Sequence, residues 1–74
     1  MSRQIDALDV RSPAPFLKVE VAFGELKVGE VVTVQCNDPC FPDDCALWCE
    51  GSGHELVSLK GQQGVHTAVI KKRR

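Results

Sequence analysis

Apolar and polar positions along this chain follow two rhythms, and together they predict six elements. Ile5, Ala7, Leu8 and Val10 sit among acidic residues in a run too short for a helix, so Ile5–Val10 reads as a first strand. Phe16, Val19, Ala22, Phe23 and Leu26 then recur at i, i+3, i+4 spacing and predict a helix from Ser12 to about Leu26. Ser12 is placed to cap that helix by accepting a hydrogen bond from a first-turn amide. Pro13 falls at the first helical position, where its missing N–H costs nothing, and Pro15 is still inside the first turn. Leu17 and Val21 lie on another flank of the helix and are read as additional core rather than as a partner surface. Gly24 weakens the helix interior, and Lys27-Val28-Gly29-Glu30 reads as its stop and turn.

Val31–Cys36 is rich in β-branched residues and is the strongest strand pattern in the chain; Asn37-Asp38-Pro39 breaks it. A second helix is predicted from about Pro42-Asp43-Asp44, whose acids suit a first turn, to about Ser52. Cys45, Trp48 and Cys49 share one of its faces, and Gly53 stops it. Glu55–Leu59 and Val65–Lys71 read as two strands joined by a Gly61–Gly64 hairpin connection. The order is β-α-β-α-β-β. Two helices are too few to cover both faces of so small a sheet, so both should pack on one face. The expected fold is an α/β two-layer sandwich with a four-stranded mixed sheet.

Composition narrows the function classes. In 74 residues, nine basic against ten acidic side chains leave a formal net charge of −1, with no overall field to gather nucleic acid. The basic run Lys71-Lys72-Arg73-Arg74 is expected to be a solvated, frayed tail. The chain also lacks the aromatic interleaving of a nucleic-acid platform, its phenylalanines and Trp48 being better placed in a core. No stretch approaches the roughly 18 apolar residues of a membrane span, and Met1-Ser2-Arg3-Gln4 leads into no signal-peptide core. The expected location is the cytoplasm, and the four cysteines are then expected as thiols. Cys36, Cys40, Cys45 and Cys49 are separated by three, four and three residues, which offers no Cys-x2-Cys pair of the kind structural zinc needs, so no metal is expected. Cys36, Cys45 and Cys49 read as small core hydrophobes, whereas Cys40 lies in the loop ahead of the second helix and could be exposed.

The residues taken in order resemble the TusA family, also called SirA-like, of small sulfur carriers. Ile5-Asp6-Ala7-Leu8 falls where that family has its Leu-Asp stretch, and Ser12-Pro13-Ala14-Pro15 falls on its Cys-Pro-x-Pro. Leu17-Lys18, Leu26-Lys27-Val28-Gly29-Glu30, Asn37-Asp38-Pro39, Asp43-Asp44, Trp48-Cys49 and Gly53-His54-Glu55-Leu56 complete the pattern without a gap. The resemblance covers nearly the whole chain and implies one such domain over residues 1–74, with 70–74 as its basic tail. It implies a sulfurtransferase-type carrier that takes persulfide sulfur from a cysteine desulfurase and relays it to downstream acceptors, for tRNA thiolation, cofactor supply or sulfur oxidation. It implies no cofactor.

Two departures bear on the chemistry. Position 9 is Asp where the family usually has Gly, and position 12 is Ser where it has the carrier Cys. A thiol at a helix N-terminus gains thiolate character, to which Arg11 would add, and the Pro13 ring would present the sulfur outward. Serine keeps a cap and loses that chemistry, since oxygen takes no part in thiol–disulfide-type sulfur exchange. A hydrolytic role is rejected, because no spacing sets His54 or His66 beside Ser12 as a base. Three explanations stay open: an introduced Cys-to-Ser change, a natural divergence that keeps partner binding as an adaptor, or transfer of the work to another thiol, for which Cys40 is the best placed. The expected site is therefore Ser12 and Cys40, with Arg11, Pro13 and Pro15 as the binding rim.

Overall fold

The computed structural model describes residues 2–74, with the side chains described from Arg3 onward. The elements are β1 (Ser2–Ala7), α1 (Ala14–Phe23), β2 (Val31–Cys36), α2 (Phe41–Ser52), β3 (Glu55–Gln62) and β4 (Val65–Lys71). They form a four-stranded sheet of order β1-β2-β4-β3. β1 runs parallel to β2, and the other two pairings are antiparallel. Burial alternates along β2, where Val32, Val34 and Cys36 point into the core and are flanked by Ile70 and Ala68 of β4. Phe16, Val19, Ala22 and Phe23 of α1 meet the same cluster as Phe41, Cys45 and Cys49 of α2, so both helices cover one face of the mixed sheet. This is the expected α/β sandwich. Among the described residues no helix is long and apolar enough to cross a membrane.

Several boundaries differ from the sequence reading for identifiable reasons. β1 starts at Ser2 and ends at Ala7, because all six of its residues pair with the six of β2, Ser2 opposite Val31 and Ala7 opposite Cys36. The apolar Leu8 and Val10 consequently fall in the following loop, where the Leu8 N–H donates to Asp6 Oδ1 (3.0 Å) and the Val10 N–H to the Ala7 carbonyl (3.2 Å). α1 ends at Phe23, ahead of Gly24, and the last carbonyls of this end are capped by Lys72, whose Nζ donates to Phe23 O and Leu26 O. A cation there also complements the negative end of the helix dipole. β3 continues to Gln62 because the hairpin needs only two residues, Gln63 and Gly64, both at positive φ (54° and 80°). That pairing of positive φ values is the type I′ geometry matched to strand twist.

Two expectations fail outright. Leu17 and Val21 are exposed, at 57% and 72%. α1 lies over the edge strand β1 with no element beyond it, so its outer flank faces a groove of about 470 Å³ shared with Arg3–Asp6 rather than core. The basic run is not frayed either. Lys72 exchanges backbone hydrogen bonds with Gly29 and Glu30, the Arg73 N–H donates to His54 Nδ1 (3.1 Å), and Arg73 pairs with Glu55. These cations are held because the C-terminal ends of both helices lie at this end of the sandwich.

Candidate functional site at the ends of β1 and β2

Parallel β1 and β2 bring their carboxyl ends side by side, and each strand leads through a short loop into a helix. Residues 8–13 and 37–40 therefore converge. The Ala14 N–H closes a turn on the Arg11 carbonyl (2.9 Å), with Ser12 and Pro13 at its centre and a cis bond between them. Pro13, not Ser12, is the N-cap of α1, and no side chain caps this end. The expected serine cap is thus corrected: the turn takes up Ser12 and leaves it one residue outside the cap. Its hydroxyl makes no hydrogen bond among the described residues. Ser12 is half-buried beside the exposed Arg11 and Pro13, whereas Pro15 is buried and belongs to the packing beneath the rim.

One carboxylate joins the two loops. Asp38 accepts the Cys40 N–H at Oδ1 (3.0 Å) and the Ser12 N–H at Oδ2 (3.2 Å). The amides of Cys40 and Ser12, with the charges of Arg11 and His66 adding, hold Asp38 below the usual carboxylate range. Ser12 and Cys40 are therefore brought together at the backbone, although 28 positions separate them in the chain. Cys40 is exposed and is the N-cap residue of α2. Cys36 lies beneath the loops, its Sγ donating to Val10 O and accepting from the Asp38 N–H, both at 3.5 Å. Cys45 and Cys49 are buried, and the Cys45 thiol is pushed up by its hydrogen bond to Cys49 and by burial, which makes it inert.

A second tie runs between Asp9 and Asn37. The Asp9 N–H donates to Asn37 Oδ1 (2.7 Å), and Asn37 Nδ2 donates to Asp9 Oδ1 (3.0 Å). Asp9 sits at φ 61°, the left-handed region that glycine enters freely. Here the aspartate adds a side-chain bond in exchange for conformational cost. Asp9→Gly is accordingly expected to change stability little, while Asp9→Ala, with the cost and without the bond, should fall about 1 kcal/mol below Asp9→Gly in urea unfolding. These residues line a cleft of about 350 Å³ together with Val10, Arg11, Asp38 and Pro39.

His66 was missed by the sequence reading. It lies opposite Cys36 on β4, its ring stacks on Phe41 (centroids 6.5 Å apart), and its charge reaches Asp38. Nothing in the local sequence around His66 announces this, because strand pairing decides it. Phe41 in turn stacks on Phe16 (5.6 Å, 4° between planes), which fixes the start of α2 against the start of α1. His54, by contrast, is at the far end of the sandwich with Arg73. Among the described residues no three His, Cys, Asp or Glu side chains converge as a metal site.

A family model for the sulfurtransferase TusA matches residues 3–72. The chain belongs to the TusA family. A protein of Neisseria meningitidis that carries the provisional name of sulfur carrier protein is 31% identical over 70 residues, covering 95% of each chain. One from Archaeoglobus fulgidus, with the same provisional name, is 32% identical over 68 residues, covering 92% of this chain and 93% of its own. The crystal structure of a SirA-like protein from Desulfitobacterium hafniense superposes with a TM-score of 0.80 at 29% identity, covering 97% of this chain and 99% of that one. The TusA-family fold is thus the one seen here.

Proposed function

We propose that this chain works in protein-to-protein sulfur relay, meeting a cysteine desulfurase or a downstream acceptor with the rim formed by Arg11, Ser12 and Pro13. The observation that carries this reading is the Asp38 clamp, which binds the amides of Ser12 and Cys40 and so braces the two loops of a TusA-family protein behind Arg11 and Pro13. Ser12 itself takes no sulfur, because an alcohol has neither the acidity nor the sulfur-exchange chemistry of a thiol. The chain is then a docking member of the relay, acting where the cytoplasmic desulfurases act.

A second reading is favoured by one specific observation. Cys40 is the exposed thiol of the four, it stands at the positive end of α2, and its backbone is held by the same carboxylate as Ser12. On that reading Cys40 bears the persulfide in place of position 12. Incubation with a desulfurase and sulfur-labelled cysteine separates the two. Binding without label supports the docking role, label that disappears in Cys40→Ala supports the second reading, and neither binding nor label removes both.

A further inference from the structure

The segment Lys72–Arg74 does not fray because it is strapped across the end of the molecule opposite Ser12. Lys72 is anchored three ways: its N–H donates to Glu30 O (2.8 Å), its carbonyl accepts the Gly29 N–H (2.7 Å), and its Nζ caps α1. Arg73 has a different kind of anchor. Its N–H donates to Nδ1 of His54 (3.1 Å), a ring held between Phe23 (centroids 4.6 Å apart) and Trp48 (5.7 Å). The Arg74 side chain lies close against Gly53, at the end of α2.

We propose that His54 is an acid-operated latch that holds the Arg73 backbone, and Arg74 after it, against the fold and releases it when Nδ1 takes up a proton. An imidazole nitrogen that accepts an N–H cannot keep that bond once protonated, because both ring nitrogens then donate. The groups facing the ring set the direction. Lys72, Arg73 and Arg74 come from the residues after β4, Glu20 from α1, and Glu55, paired with Arg73, from β3; α2 contributes the uncharged Trp48 ring. Burial, then the charges of Arg74 and Lys72, hold His54 below its ordinary 6.5 against the opposing pull of Glu20. The docked form therefore binds the proton less well than the released form. The contribution of His54 to docking is fully present above about pH 6.5 and is lost as pH falls from there through the lowered value of the docked ring. The release stops at Arg73, since none of the three Lys72 anchors involves His54. The Arg73 guanidinium pairs with Glu55 and not with His54, so what the latch frees is the Arg73 backbone.

The test is an NMR titration of the intact chain that follows the His54 ring and the exchange protection factors of the Arg73 and Lys72 amides. The expected result is loss of Arg73 protection along the same curve as His54 protonation, with its midpoint below 6.5, while Lys72 stays protected. His54→Phe keeps a ring between Phe23 and Trp48 and removes the acceptor, so Arg73 should be unprotected at every pH. His66→Gln should leave the transition in place. Protection of Arg73 that persists through the His54 titration, a midpoint above 6.5, or a transition that survives in His54→Phe overturns the latch. If His54→Phe does not fold, the titration of the unaltered chain decides by itself.

Discussion

Truncation of Phe41 to alanine is expected to cost about 3–5 kcal/mol and to lower the urea midpoint of unfolding sharply. Phe41 is the largest of the completely buried side chains, and it opens α2 directly after the exposed Cys40. Its ring lies between Phe16 of α1 and His66 of β4, so it joins both helices to the sheet at the end that carries the candidate site. A chain of 74 residues has on the order of 4–11 kcal/mol of stability in total, so the loss is a large fraction of it. The measurement is urea unfolding followed by far-UV circular dichroism. Phe41→Leu, which keeps much of the volume, should remain folded with a lower midpoint. An alanine variant within about 1 kcal/mol of the parent would show that the ring stack does not hold the two helix starts together.

Replacement of Ser12 by cysteine is expected to convert a chain with no sulfur on position 12 into one loaded by a desulfurase. The change is one atom, at a half-buried turn beside Arg11, so the loops and the Asp38 clamp should persist. The new thiolate would attack the outer sulfur of the donor persulfide, its S–S bond would break, and the donor would leave as a thiolate. A thiol ionises near 8.5 in the absence of perturbation, within reach at neutral pH, whereas an alcohol does not. Mass spectrometry after incubation with desulfurase and cysteine should find one added sulfur on the tryptic peptide that contains position 12. Ser12→Ala, as the control, should bind the same partners and stay unloaded there. A well-folded Ser12→Cys that accepts nothing would count against the rim as a sulfur-donor surface.

The two predictions draw on different kinds of information. The start of α1 just after position 12 was legible from Pro13 and Pro15, and the family from residues that match it in order and register. The core role of Phe16, Val19, Ala22 and Phe23 was legible from their spacing alone. β2, β4 and the Gly53 stop followed from β-branched content and glycine chemistry, which are local properties. The start of β1 was not legible, because Ser2-Arg3-Gln4 is polar and becomes a strand only through its pairing with β2. The exposure of Leu17 and Val21 was not legible either, since periodicity shows that a helix has apolar flanks and not which flank a neighbour covers.

Local sequence, then, determined the element order, the sheet's buried face and the family. Each of these depends on side chains that act on their own few residues of backbone or fall at a fixed period. Tertiary structure decided that Asp38 braces Ser12 and Cys40 together, that His66 belongs to that end, and that the basic segment is strapped to His54. Those arrangements join residues far apart in the chain, and they exist only because parallel and antiparallel pairing set particular strand ends side by side.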